Sequence, residues 1–138
     1  MRQAPDGILD HVEIVVGDVA ASRRFYKTAL ACLDFAEVVD VPGNGEVMGR
    51  VGLGIDGYPR LWLRGPGPAG TPLHLAFRAE TRQMVDLFHA TAIAAGGRDN
   101  GLPGIRARYH AAYYAAYVLD PDGNNIEVVC QQSQTVDI

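Results

Sequence analysis

At 138 residues the chain has the length of one compact domain, and a domain of that size buries roughly two thirds of its unfolded surface, so no disulfide is needed to staple it. Apolar residues make up 48% and charged residues 20%, an ordinary balance for a soluble globular protein. The net charge of -4, with acids and bases interspersed, excludes the basic face of a nucleic-acid binder, and no polybasic run addresses an anionic membrane.

The opening "MRQAPDG" lacks the apolar core of a signal peptide. The longest apolar run, "AAYYAAYVL" (111–119), is far short of the about 20 residues a bilayer span takes. Cys32 and Cys130 lie far apart and form no C-x-x-C pair. Both are expected to be reduced, small apolar residues of a cytoplasmic protein.

"ILDHVEIVV" (8–16) is rich in β-formers and follows a Pro-Asp-Gly breaker, so it predicts a strand. "GDVAASRRFYKTALACLDF" predicts a helix with Asp18 as N-cap. Val19, Ser22, Phe25, Tyr26, Ala29, Leu30 and Leu33 fall at helical spacing. Three β-like pieces follow: "FAEVVDV", "EVMGRVGLGI" and "PRLWLRG". After the Gly- and Pro-rich "RGPGPAGTP" (64–72) the pattern returns. "TPLHLAFRA" (71–79) predicts a strand. "TRQMVDLFHATAIAAGG" predicts a helix capped by Thr81, striped by Val85, Phe88, Ala92 and Ile93, and ended by Gly96. A Gly-rich stretch through "RDNGLPGIRARYH" then leads to strands "AYYAAYVL" and "NIEVVC". The two halves match at an offset of 63, which sets His11 on His74 and Asp18 on Thr81. The expected fold is α+β: one domain of two tandem modules, about 8–64 and 71–130, with sheets facing a common interior and helices outside.

The last hairpin raises a chemical question. "DPDG" (120–123) has the type I signature, and the two-residue period of the strand after it sets Asn125, Glu127 and Val129 on one face. Glu127 thus puts a carboxylate amid apolar neighbours. Two of the four histidines, His11 and His74, occupy matching places in the first strands of the two halves. Two imidazoles and a carboxylate make a compact site for a divalent cation with positions left open, and the ion's charge offsets the burial of the acid. Glu13 shares the face of His11 and is a candidate general base or a salt-bridge partner of an arginine. His110, Tyr113 and Tyr114 precede the hairpin and are candidates for a substrate role or for core filling. His89 is expected to be structural or exposed, and Arg98, Asp99 and Asn100 to form a plain turn.

Taken together, "LDHVEIVVGD" with "SRRFYKTAL", then "PLHLAF", then "YYAAYVLDPDGNNIEVV" resemble the vicinal oxygen chelate superfamily, which holds glyoxalases, fosfomycin-resistance proteins and extradiol dioxygenases. The closing segment is similar to a glyoxalase-like bacterial subgroup. The resemblance implies two βαβββ modules forming a cupped mixed sheet, commonly dimeric, with His11, His74 and Glu127 as metal ligands. Laying "DGYPRLWLR" over "DGNNIEVVC" sets Leu61, with Trp62 beside it, against Glu127, so the fourth ligand of glyoxalase I has no counterpart. Fosfomycin-resistance enzymes carry a threonine where Glu13 stands, whereas the second-shell His and Tyr of extradiol dioxygenases have His110 and Tyr113 as counterparts.

The function expected is a metal-dependent, glyoxalase-like enzyme of the isomerase or lyase type. Its small substrate would offer two neighbouring oxygens to one Zn, Ni, Mn or Fe ion per site, with Glu13, His110 or Tyr113 in catalytic roles. The rivals are an Fe(II) extradiol-type dioxygenase and a non-catalytic small-molecule binding or resistance protein on the same fold. A homodimer is expected, with neither a nucleic-acid nor a membrane partner.

Overall fold

The computed structural model describes residues 6–133, so the first five residues of the opening "MRQAPDG" lie outside it. The chain divides into two compact units, Met1–Pro72 and Leu73–Ile138. The first runs β1 (Val12–Val15), α1 (Val19–Ala29), a 3-10 turn (Ala31–Leu33), β2 (Ala36–Val41), β3 (Gly49–Gly54) and β4 (Leu61–Gly65). The second runs β5 (His74–Arg78), α2 (Arg82–Ala94), β6 (Arg98–Ile105), β7 (Tyr114–Leu119) and β8 (Asn125–Cys130). Each is a βαβββ module with a four-stranded mixed sheet, ordered β1-β4-β3-β2 in one and β5-β8-β7-β6 in the other. The first strand of each unit pairs parallel with the last, and the remaining pairs are antiparallel.

Both helices start where the side chains dictate. Asp18 accepts a hydrogen bond from the Ala21 N–H at 3.1 Å, and Thr81 accepts one from Met84 at 3.2 Å, each satisfying a donor that the first helical turn leaves open. In the first unit Phe25, Tyr26, Ala29 and Leu30 are fully buried, with the Phe25 and Tyr26 rings edge to face at 4.9 Å. In the second, Val85, Phe88 and Ala92 are fully buried.

The helices also depart from the periodicity. The first ends at Ala29, before the expected Leu33. The chain tightens into the 3-10 turn, and Asp34 closes it in the left-handed conformation (φ 63°), which aspartate tolerates better than most residues. Leu33 stays buried from within that turn. Ile93, expected in the stripe of α2, is exposed, because Ala92 takes the core-facing place.

Arg98, Asp99 and Asn100 form no plain turn; they open β6. The pairing of β6 with β7 is interrupted twice, between Asp99 and Gly101 and between Gly101 and Gly104. An edge strand tolerates such breaks and the proline at Pro103, since its outer N–H groups need no ladder partner.

Register settles which residue of the first unit corresponds to Glu127. Glu13 pairs with Trp62 on β4, and Ala76, its counterpart at the offset of 63, pairs with Glu127 on β8. Trp62, not Leu61, therefore stands where Glu127 stands. The first unit carries one more residue between its Asp-Gly pair and that strand position. Leu61 points into the helix-covered core and is fully buried.

Candidate functional site

The second unit assembles its polar site on the open face of its sheet. β8 lies inside the sheet, between β5 and β7. Its face alternates as the pleat requires: Ile126, Val128 and Cys130 are buried with α2 over them, and Glu127 points the other way. Glu127 is nonetheless only 2% exposed. Its Oε1 lies 2.8 Å from His74 Nε2, reached diagonally from the edge strand β5. Its Oε2 accepts a 2.5 Å hydrogen bond from the Tyr113 hydroxyl.

Tyr113 enters from the turn before β7 and packs on Ala115, Tyr117 and Val129, which wall the acid. Tyr117 faces Glu127 directly across the β7–β8 ladder, with its ring 6.2 Å from that of His74. Burial, and then the hydrogen bond to the carboxylate, push the Tyr113 hydroxyl well above the ordinary tyrosine range. Burial and the charge of Glu127 raise Tyr117 as well. Both phenols thus hold their protons at neutral pH, and Tyr113 donates its own to Glu127.

The neighbouring candidates separate. His110 lies 2.9 Å from Gln131 Oε1 through Nε2 and meets Tyr113 ring to edge at 5.6 Å. His110 thus bonds to Gln131 and not to Glu127. Tyr114 faces α2: its hydroxyl donates to Asp86 at 2.5 Å, and the Arg82 guanidinium lies 5.1 Å over its ring. Strand alternation removes it from the open face, so the substrate role considered for Tyr114 is corrected. His89 is structural, tying α2 to β6 through Asp99 at 2.9 Å.

In the first unit His11 sits just ahead of β1 rather than within it. Its Nδ1 lies 2.5 Å from Asp10 Oδ1, and the Tyr58 hydroxyl donates to both Asp10 oxygens, at 2.9 and 2.7 Å. The hydrogen bond from His11, and next that from Tyr58, hold the Asp10 carboxyl below its usual range. A carboxylate on Nδ1 fixes the tautomer and leaves Nε2 to bind a cation, an arrangement that metal-ligating histidines commonly use. The sequence reading singles out neither Asp10 nor Tyr58 as a partner in the His11 cluster. The adjacent "DH" was the available signal, but Tyr58 comes from 48 residues away.

Glu13 lies between two guanidiniums, 3.2 Å from Arg50 Nε and 3.4 Å from Arg64 Nε, and Arg50 stacks over the Trp62 ring at 4.6 Å. Glu13, Arg50 and Arg64 border an open depression of about 580 Å³ shared with Glu46, Val47 and Met48. Of its two expected roles, Glu13 adopts that of ion-pair partner in this structure.

In the second unit His74 and Glu127 converge, one nitrogen and one oxygen donor of the kinds a divalent cation takes. Within either unit, among the described residues, no three His, Cys, Asp or Glu side chains form a metal-holding group. The second unit contributes two such donors.

Residues 8–128 match the model of the Glyoxalase/Bleomycin resistance protein/Dioxygenase superfamily. The chain belongs to this superfamily. The matched span includes His11, His74 and Glu127. Among solved structures the chain is similar to a glyoxalase/bleomycin resistance protein from Albidiferax ferrireducens T118, with 29% identity, a TM-score of 0.69, and 88% of this chain and 97% of that one covered. It is similar in fold to a glyoxylase/bleomycin resistance protein/dioxygenase domain from Frankia sp. EAN1pec, at 22% identity and TM-score 0.69, covering 93% and 99% of the two chains. It is also similar in fold to glyoxalase I from Zea mays, at 20% identity and TM-score 0.67, where it covers 91% of itself but 44% of the maize chain. No curated protein matches. Among the described residues no helix is long and apolar enough to cross a membrane.

Proposed function

We propose that this superfamily member is a metal-dependent, glyoxalase-like enzyme of the isomerase or lyase type, acting on a small substrate with two neighbouring oxygens. The observation that carries the reading is Glu127, a nearly fully buried carboxylate that shares its oxygens between His74 and Tyr113. Burying a carboxylate is costly even where it is hydrogen-bonded, and a bound cation offsets that cost.

In this reading His74 and Glu127 hold the ion on the second unit, and His11 is a candidate ligand on the first. When bound, a divalent cation supplies Lewis-acid stabilisation of the negative charge that develops on a substrate oxygen. The chain's own residues do the rest. Asp10 keeps the His11 ring oriented, and Tyr113 holds Glu127 Oε2 so that Oε1 is directed toward His74. Proton movement falls to Tyr113, whose hydroxyl carries its proton at neutral pH beside the acid. His110, edge-on to Tyr113, supports that ring. Glu13 anchors Arg50 and Arg64 on the open face of the first unit.

The test is elemental analysis of protein purified without chelators, for the wild type and His74→Ala. The wild type is expected to carry a stoichiometric divalent ion and the variant to lose it. Full metal content in His74→Ala would remove the proposed ligand set.

A further inference from the structure

The second unit places Arg106 on the same face as Glu127, and among the described residues no carboxylate lies within ion-pair distance of its guanidinium. Arg106 follows β6 directly, and its backbone N–H donates to the Tyr113 carbonyl at 2.8 Å. Its side chain folds back over β6, where Nη2 donates to the Leu102 carbonyl at 2.7 Å and the guanidinium lies 5.2 Å over the Tyr117 ring. Two glycines make this path possible. A Cβ on Gly101 would come 3.2 Å from Arg106 Nη2 and 2.7 Å from Tyr117 Cδ2, and one on Gly104 would come 3.2 Å from Nη1. Tyr117 is the residue directly across the ladder from Glu127.

Arg23, Arg50 and Arg64 each have a carboxylate within ion-pair distance. For Arg106, half-buried, no carboxylate among the described residues lies that close. A guanidinium stacked on an aromatic ring and held by one carbonyl keeps its remaining N–H donors for a planar anion, to which its fork is matched.

We infer that Arg106 is a carboxylate-binding subsite and that the substrate class is a small organic acid: a flat or compact molecule with vicinal oxygens and, separately, a carboxylate. The oxygens belong at His74 and Glu127 and the carboxylate at Arg106, with the body spanning between them past the edge of Tyr117. Only the placement of the oxygens rests on the metal reading above; the carboxylate subsite stands on the arginine, the tyrosine and the two glycines.

The test compares two probes that share a vicinal diol and differ by one carboxylate, 3,4-dihydroxybenzoate and catechol. Binding to the full-length protein is measured by calorimetry, with and without one equivalent of zinc, for wild type, Arg106→Gln and Arg106→Lys. A charge-assisted bidentate contact is expected to favour the acid by about tenfold or more in the wild type. Arg106→Gln should abolish that preference while leaving catechol affinity unchanged, and Arg106→Lys, which keeps the charge without the fork, should fall between. The inference is overturned if the wild type shows no preference, if Arg106→Gln retains it, or if neither probe binds in either form. If zinc does not bind at all, the metal reading falls by itself, and the preference in the zinc-free protein still decides the role of Arg106.

Discussion

Tyr113→Phe removes one oxygen atom and tests the centre of the site. The lost group is the donor of the 2.5 Å hydrogen bond to Glu127 Oε2, and Glu127 is 2% exposed. A hydrogen bond to a charged group contributes about 1.5–3 kcal/mol, and a buried acceptor left without its donor suffers the desolvation penalty besides. Tyr113 itself is half-buried, so water reaches part of the vacated space and keeps the loss from the top of that range. The expected destabilisation of chelator-treated protein is therefore about 2 kcal/mol in urea unfolding, with an unchanged m-value. In a chain of this length that corresponds to a Tm lower by roughly 5–8 °C. Tyr109→Phe, at an exposed position 4.7 Å from the Tyr113 ring, should stay within about 0.5 kcal/mol of the wild type. A Glu127→Gln background completes a double-mutant cycle, in which the Tyr113→Phe penalty should shrink to about 1 kcal/mol or less once the charge is gone. A penalty equally large in both backgrounds would show that the hydroxyl acts elsewhere, and a Tyr113→Phe protein as stable as wild type would refute the buried, bonded carboxylate.

Three further outcomes follow from packing and charge. Phe88→Ala empties a fully buried site under the second sheet and should lower stability by about 3–5 kcal/mol in equilibrium denaturation, with little loss if the ring were peripheral. Gly54→Ala would set a Cβ 1.8 Å from the Tyr58 carbonyl oxygen, so the β3–β4 turn must deform, and urea unfolding should register about 2–3 kcal/mol or more. The Asp99 carboxyl is held below its usual range by the His89 hydrogen bond and then by the Gly101 N–H. A depressed carboxyl stabilises the fold above its unfolded pKa, about 4, and the contribution is lost as pH falls through the lower folded value. Thermal melts of Asp99→Asn against wild type should thus differ at neutral pH and converge in strong acid; a gap that widens on acidification would reverse the sign.

Much of the site could be read from the chain because it rests on local rules. The Asp120 side chain accepts from the N–H groups of Asp122 and Asn124, as an Asp-Pro-Asp-Gly turn suggests, and Gly123 closes on the Asp120 carbonyl. That turn fixes the phase of β8, so Glu127 on the face opposite Ile126 and Val128 follows from a period of two. The helix caps at Asp18 and Thr81 are equally local. By contrast, Trp62 as the counterpart of Glu127 was lost to a one-residue slip in the loop, which composition does not reveal. Only cross-strand pairing measures it, and in a strand a slip of one residue turns every side chain to the other face.

By itself the sequence determined the doubled βαβββ order, the turn that aims Glu127 and the histidines at matching positions, because propensity, capping and strand period depend on neighbours along the chain. Tertiary structure alone decided the partners. Glu127 bonds to His74 and Tyr113, 53 and 14 residues away, Tyr58 reaches Asp10 across 48, and Arg50 reaches Glu13 across 37. A side chain's hydrogen-bond partner is set by which strands pair and in what register, and that is fixed only when the sheet closes over its helix.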